Sequence, residues 1–495
     1  MKILIYMPFS DWIPHLVTDL EIAAKHIEEG DDVHIIQCSG DLQSCEPNPN
    51  HFKLRCISCK SKRGKGLALI SLLEQNRHEL ALSEFVRDLD LPDFPSIQEL
   101  KDFEIDNVDV GMTVASTLIS MVRESDPDLS DFKNFIHENI SMSIAIYDSI
   151  KHHLLEIEPD IFYLFNGRFA ALRPALRAAQ DLGITTFVHE RSGVLQRYTL
   201  IEDTYPHDIE YQKAQIEKHW NDERPINEKE EIARQWFNNR RAGQNQGWYS
   251  YTKSQKKGNL PDGFDPSMRN IAIYISSEDE FESIEGWQNP IYKNQIDAII
   301  AILNAEIDEN IRFFVRIHPN LKGLNNTQTR ELSELKGANL SIIPADSKID
   351  SYELMDACEK VITFGSTVGI ESVYWGKPSI LVGRSLYEGL EGCYIPKDHD
   401  ELIGLMNRRL DSLPDIGALK YGYWLSIDGV PYKYYSPESI RGGKFMGVYF
   451  GNPVIDRLKD KFLAFDQVSQ PVVNIVQSIR KWTWKLRPAK RNNKH

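Results

Sequence analysis

The 495-residue sequence is poor in several things, and each shortage excludes a class of protein. It has no apolar run near the ~18 residues that a membrane-spanning helix needs. It has no low-complexity segment and no internal repeat beyond an alternation of strands and helices, which excludes solenoids and fibres. It is short of positive charge. Lys and Arg number 57 against 72 Asp and Glu, a formal net charge of −15, which argues against nucleic acid as a partner. Cysteine is scarce, with six in the whole chain. What is present is ordinary for a globular protein: 41% hydrophobic and 26% charged residues. The N-terminal MKILIYMPFSDW has one Lys, a very short apolar stretch and then Asp11. It reads as a buried strand and not as a signal peptide, which places the chain in the cytoplasm.

The charge is unevenly spread. Residues 471–495 hold seven Lys/Arg and no acid, so the preceding 470 residues sum to −22. Within this tail Ile475, Ile479, Trp482 and Leu486 recur at near-helical spacing among basic residues. An amphipathic basic helix of this kind suits an anionic membrane surface, giving a peripheral position on the inner face of the cytoplasmic membrane. A disordered, solubilising tail is the alternative. The sequence leaves the oligomeric state open.

The alternation itself predicts the fold. Residues 2–7, 33–37, 160–165 and 184–188 are apolar runs suited to strands buried on both faces. Leu16, Leu20, Ala23 and Ile27 mark a helix stopped by Gly30, residues 60–66 read as a basic loop, and 67–155 as mainly helical. Residues 200–268 are polar and helical and end in a Gly/Pro-containing linker near 256–268. Strands then resume at 271–275, 312–317, 341–344, 360–364 and 379–382, with helices at 292–304, 351–358 and 369–375. The expected architecture is α/β: two doubly wound, Rossmann-like domains facing a central cleft. The expected boundaries are 1–265 for a first domain with a helical insert, 266–430 for a second, and 431–495 for a crossing segment and basic tail. Whether the aromatic-rich stretch 421–450 lines that cleft or packs the domains is open from sequence.

The candidate chemistry sits at strand ends, where open α/β sheets bind ligands. At the end of 360–364, Gly365-Ser366-Thr367 turns into a helix that carries Glu371. Backbone N–H groups and two hydroxyls there suit a phosphate, and Glu371 suits ribose hydroxyls. Arg316 and His318-Pro319 close the strand 312–317, and Ser276-Ser277 follow the strand 271–275. In the first half, Asn166-Gly167-Arg168 and Glu190-Arg191-Ser192-Gly193 end consecutive strands, and His15 lies in the first strand–helix loop. Cys38, Cys45, Cys56 and Cys59 fall within 22 residues, with one pair at C-x2-C spacing. Four such thiols are a candidate structural zinc site, free thiols being the alternative.

The segment Thr363–Ser379 resembles the nucleotide-sugar site of GT-B glycosyltransferases and of UDP-GlcNAc 2-epimerases. Arg316–Asn320 resembles the His-Pro motif of bacterial sialyltransferases and capsule β-Kdo transferases. The resemblance implies a GT-B bacterial surface-polysaccharide glycosyltransferase. Its donor would be a nucleotide sugar, CMP- or UDP-linked, such as a CMP-activated acidic sugar. Its acceptor would be a growing glycan or lipid-linked saccharide. Arg316, His318, Pro319, Ser276, Ser277, Gly365, Ser366 and Thr367 would hold the nucleotide phosphates, and Glu371 the ribose. Asn166, Gly167 and Arg168 would bind substrate. Glu190 would be the general base with His15 its rival, and no metal would be needed for transfer. Thr363 replaces the acid of the two-glutamate retaining enzymes, and Pro8-Phe9-Ser10-Asp11 replaces the Gly-Thr-Arg-Pro-Glu loop of the epimerases. An epimerase, a phosphotransferase moving a CDP-linked alcohol, and a non-catalytic assembly scaffold are the other readings.

Overall fold

A computed structural model describes residues 1–452. The basic tail 471–495 lies outside the described residues. The chain divides into two compact units: residues 1–206 with 429 onward, and residues 207–428.

Unit 1 runs β1 (Lys2–Met7), α1 (Ile13–Glu29), β2 (Asp32–Gln37), α2 (Lys53–Leu67), β3 (Arg77–Glu79), α3 (Ile97–Lys101), α4 (Val110–Val122), α5 (Lys133–Ile157), β4 (Ile161–Phe165), α6 (Arg173–Asp181), β5 (Thr186–Arg191) and β6 (Arg197–Glu202). Unit 2 runs α7 (Ile209–Trp220), α8 (Ile226–Arg241), β7 (Arg269–Tyr274), α9 (Glu278–Glu282), α10 (Gln295–Asn304), β8 (Ile311–Arg316), α11 (Thr327–Glu334), β9 (Leu340–Ile343), α12 (Ser351–Ala357), β10 (Lys360–Thr363), α13 (Val368–Tyr374), β11 (Ser379–Leu381), α14 (His399–Asn407) and α15 (Ile416–Ile427). The chain then returns to unit 1 as β12 (Val430–Pro431), β13 (Tyr435–Pro437), β14 (Gly443–Phe445) and β15 (Val448–Phe450).

Both units are Rossmann-like, as the alternation predicts. Unit 1 has a sheet in the order β12-β6-β5-β4-β1-β2-β3, in which β6 alone runs antiparallel to the other strands. Unit 2 has a wholly parallel sheet in the order β11-β10-β7-β8-β9. The central strands β1 and β7 are buried almost throughout because both faces are covered by helices. Helix α1 starts with Pro14 in its first turn and ends on Gly30 at φ 83°, a left-handed cap that glycine adopts without steric cost.

Four local expectations differ from the structure. The basic loop at 60–66 is the second half of α2. Its glycines look like breakers, yet Gly66 is buried where a Cβ would stand 2.3 Å from Leu20, so packing on α1 outweighs propensity. Much of 68–109 is irregular, broken by β3, α3 and two single-turn 3-10 helices at Glu74–Asn76 and Leu82–Glu84, so the helical region proper begins at α4. The helix expected from Arg168 begins at Arg173, because Asn166 and Gly167 both hold positive φ and turn the chain first. Strand β5 runs on to Arg191 because β6 pairs with it antiparallel, so Glu190 is opposite Thr199 within the sheet.

The division into units also differs from a boundary at 265. Helices α7 and α8 belong to unit 2. Trp236 and Phe237 of α8 pack with Ile370, Tyr421 and Trp424, and Gly422 of α15 lets Phe237 approach so closely that a Cβ would lie 2.8 Å from its ring. The aromatic stretch 421–450 is likewise shared out. Tyr421, Tyr423 and Trp424 are core residues of unit 2, while Tyr432, Tyr435, Phe445 and Phe450 pack in unit 1. The returning segment is clamped by the buried Glu21, which accepts N–H bonds from Lys433, Tyr434 and Tyr435 at 2.6, 2.9 and 3.0 Å.

Candidate active site

In unit 2 a pocket of about 660 Å³ is lined by Arg316, His318 and Pro319 from the end of β8, Ser366, Thr367 and Glu371 from the β10–α13 turn, and residues from four other segments. Six sequence candidates thus meet in one place. Gly365 supports the turn from behind, at φ 112°, where a Cβ would stand 2.3 Å from the Arg384 carbonyl oxygen. The turn satisfies itself: the Ser366 N–H donates to Thr363 Oγ1 at 3.0 Å and the Gly369 N–H to the Ser366 carbonyl at 3.0 Å. The Ser366 and Thr367 side chains line the pocket beside this turn.

Two of the lining side chains are guanidinium groups, Arg316 and Arg240. Arg316 is buried and donates to the Pro344 and Ser347 carbonyls, with no carboxylate in ion-pair range among the described residues. Burial pushes its guanidinium below its ordinary range, and its Nε has no partner. His318 Nδ1 accepts the Asn320 N–H at 3.1 Å, so a neutral ring carries its proton on Nε2 as a donor. Arg240, from α8, donates to Glu371 Oε1 at 2.9 Å and Thr367 Oγ1 at 3.2 Å. The Glu371 charge raises the Arg240 pKa, while its Nε stays unsatisfied. Tyr352 of α12 donates to the second oxygen of the fully buried Glu371. Tyr251, edge-on to the His318 ring at 5.4 Å, and Gln255 complete the lining.

Arg240, Tyr251, Gln255 and Tyr352 were not found by sequence reasoning. The usable signal was Arg240-Arg241 at the end of an amphipathic helix: Arg241 pairs with Asp356 and lies 4.5 Å from the Trp375 ring. Ser276 and Ser277 stand apart from the pocket lining. The Ser276 N–H donates to Gln295 at 2.8 Å, and the Ser277 hydroxyl to Asp279 at 2.6 Å.

In unit 1 the two rival bases are neighbours. Glu190 Oε2 accepts from Asn166 Nδ2 at 2.9 Å, and Oε1 accepts the Arg191 N–H at 2.9 Å and lies 3.9 Å from His15 Nδ1. Asn166 is held at φ 57°, which aims its amide across the adjacent strand ends. His15 stacks on Phe165 with ring centroids 3.6 Å apart. Burial, with Arg191 and His189 adding, drives its pKa well down, so the imidazole is neutral near pH 7. Behind it the buried His189 Nε2 bonds Asp19 at 2.7 Å. Gly167 shapes the turn, and Arg168 lies over the Phe169 ring at 4.3 Å, with its charge felt at the half-buried Glu46.

The four cysteines converge on a pocket of about 430 Å³ with Asp11 and His51, but they do not form the closed zinc site expected. Among the described residues, the ligating atoms that gather in threes within 4.8 Å are those of His26, Glu29 and Asp31, none of them cysteine. Local donors hold the sulfurs instead: Ser10 N–H to Cys59, Gly40 N–H to Cys38 and Asn48 Nδ2 to Cys56, at 3.0, 3.2 and 3.2 Å. Burial raises the Cys45 and Cys59 thiols, favouring the protonated form.

The family model for capsule polysaccharide biosynthesis proteins matches residues 287–393. That span contains both segments from which the resemblance was read, Arg316–Asn320 and Thr363–Ser379, and it bears the resemblance out. No curated protein sequence matches the chain. Among solved structures, the chain is similar to Thermosulfurimonas dismutans KpsC, beta Kdo 2,4 transferase, at 15% identity and TM-score 0.34, over 53% of this chain and 79% of that one. It is similar to Methanocaldococcus jannaschii UDP-GlcNAc 2-epimerase at 10% identity and TM-score 0.25, over 85% and 97%. The calicheamicin glycosyltransferase CalG4 is similar at 8% identity and TM-score 0.28, over 86% and 94%.

Proposed function

We propose that this chain is a glycosyltransferase of surface-polysaccharide assembly, moving a sugar from a nucleotide-sugar donor to a glycan or lipid-linked acceptor. The observation that carries the reading is the gathering of Arg240, Arg316 and His318 with two hydroxyls around one pocket, inside and beside the span matched by the capsule family. A buried guanidinium without a carboxylate is costly unless an anion meets it.

On this reading Arg316, His318 Nε2 and the Ser366 and Thr367 hydroxyls bind the donor phosphate. Glu371, held by Arg240 and Tyr352, keeps lone pairs for ribose hydroxyls, and Tyr251 offers a ring face to the base. In transfer the acceptor oxygen bonds the anomeric carbon as the bond to the phosphate oxygen breaks. The leaving nucleotide takes that electron pair, and the fixed positive charge offsets it. The acceptor proton passes to Glu190, with the neutral His15 beside it as second acceptor. Asn166 orients Glu190. The basic tail 471–495 would hold the chain at an anionic membrane where lipid-linked acceptors lie.

The test is thermal stabilisation by CMP, CDP, UDP, GDP and their sugars, for wild type and Arg316→Ala. A shift with one nucleotide family that Arg316→Ala abolishes supports the reading, because a ligand specific to the folded state raises Tm by mass action. A shift with CMP alone favours an acidic-sugar donor. A shift with UDP-sugars favours the epimerase or other GT-B classes. No shift with any of them sinks the reading in favour of a scaffold.

A further inference from the structure

Helix α2 carries Lys53, Arg55, Lys60, Lys62, Arg63 and Lys65 and no acid, on a chain of net charge −15. Its inner face is Cys56, Cys59, Arg63, Gly66 and Leu67, packed on unit 1. Its outer face is different. Leu54 is 82% exposed and Ile57 59%, one turn apart, and Phe52 just before the helix is 54% exposed. Lys53, Arg55, Lys60 and Lys65 are exposed around them, Arg55, Lys60 and Lys65 also donating to the Pro47, Ser39 and Tyr449 carbonyls. Leu54 and Ile57 side by side make a contiguous apolar patch rimmed by polar residues, the pattern that marks an interaction surface.

We propose that this face of α2 binds an anionic lipid bilayer, with Phe52, Leu54 and Ile57 entering the headgroup region and the lysines reaching lipid phosphates. The choice of occupant follows from the residues. The face is a convex helix surface, its apolar pair flanked by cations on both sides. Lysine dominates it, and lysine is depleted in protein–protein interfaces, where arginine and aromatic residues prevail. Lysines around a small apolar patch are the composition of helices that lie on membranes, their stems running along apolar surface and their ammonium groups in the headgroup layer. Arg55 and Lys62 also pair with Asp11, and Arg63 donates to the Cys38 carbonyl at 2.8 Å, so the helix is pinned to unit 1 by its other side. The surface is independent of the tail and of the proposed transfer.

Co-sedimentation of the full chain with phosphatidylglycerol vesicles and with phosphatidylcholine vesicles tests it. Binding to the former alone, released by high salt, is expected. Lys53→Glu with Lys60→Glu should weaken it by at least about tenfold. Leu54→Asp with Ile57→Asp should weaken it comparably while leaving the melting curve unchanged, since both side chains already face solvent. The milder pair Lys53→Gln and Lys60→Gln should give an intermediate loss. If wild type ignores phosphatidylglycerol, the surface serves another partner and the proposal fails. If the α2 variants bind as wild type does, another part of the chain makes the contact, and the proposal fails equally.

Discussion

The two units treat buried charge differently. In unit 1 several buried charges meet opposite charge or donors: Arg173 and Arg177 with Asp109 at 2.5 and 2.6 Å, Glu21 with three N–H groups. In unit 2 the far side of the sheet is equally tidy, with Arg269 bonded to Glu359 at 2.8 and 2.9 Å. The pocket holds charge of another kind, which unit 1 also has at Arg63, a buried guanidinium bonded to the Cys38 carbonyl. Arg316 meets only carbonyls, and both it and Arg240 leave Nε unpaired. Satisfied charge holds a scaffold in register, and unsatisfied charge of one sign marks where a ligand completes the electrostatics. The contrast also separates roles: unit 1 positions a carboxylate, and unit 2 stores positive charge.

The largest expected effect tests the first role. Glu190→Gln keeps the shape and the Asn166 contact but removes the proposed base. Transfer should fall by about 10²–10⁴-fold with nucleotide binding unchanged, measured by turnover beside thermal shift. Equal turnover would pass the role to His15. Next, Arg240→Ala strips the counter-ion from the fully buried Glu371, leaving only Tyr352. Breaking a buried pair in this way costs about 3–5 kcal/mol, read from denaturant unfolding. A loss under 1 kcal/mol, a rough threshold for an exposed pair, would mean that Glu371 is not committed to Arg240.

A third effect compares the units directly, because each buries one carboxyl with a strongly raised pKa. Desolvation pushes Glu46 of unit 1 and Glu278 of unit 2 up to about 7 from 4.5. The folded state therefore binds more protons than the unfolded chain between those values. Stability falls as pH rises through that window, and the full cost is present above about pH 7. Each group costs about 3 kcal/mol there. Glu46→Gln and Glu278→Gln should each flatten the decline in Tm from about pH 5 to 8 and raise stability at its upper end. A variant whose profile keeps the wild-type slope would show that its carboxyl ionises normally.

How far the sequence revealed these features depended on how local they were. The two sheets were legible because a strand buried on both faces is a continuous apolar run, as in KILIYM and IAIYI. Arg316, His318, Ser366, Thr367 and Glu371 were legible because each ends a strand or opens the following helix, so the topology alone converges them. Arg240 was not, since its meeting with Glu371 spans 131 residues and depends on α8 packing with α15. The same packing moved the boundary from 265 to 206. Polarity marked α7 and α8 as an insert, and their few buried residues, Ile216, Trp236 and Phe237, decided which unit they joined. Helix α2 was hidden by two glycines, of which Gly66 packs against Leu20. The cysteine spacing suggested a metal because spacing carries no information about which way each sulfur points.

The smallest expected effect sharpens the opening contrast most, because one substitution is made in both units. Arg316→Lys keeps a positive charge in the pocket but gives up the planar fork that reaches two carbonyls and an anion at once. Nucleotide affinity should drop by about 1–2 kcal/mol, the worth of one charge-assisted hydrogen bond, with little change in stability because no carboxylate depends on it. Arg173→Lys in unit 1 should do the reverse. Arg173 is fully buried against Asp109, so a shorter reach there costs folding stability of the same order, about 1–2 kcal/mol, and leaves nucleotide binding alone. Thermal shift with and without nucleotide reads both quantities in one titration. If the two variants lost the same quantity, the division between charge that holds the fold and charge that waits for a ligand would be false.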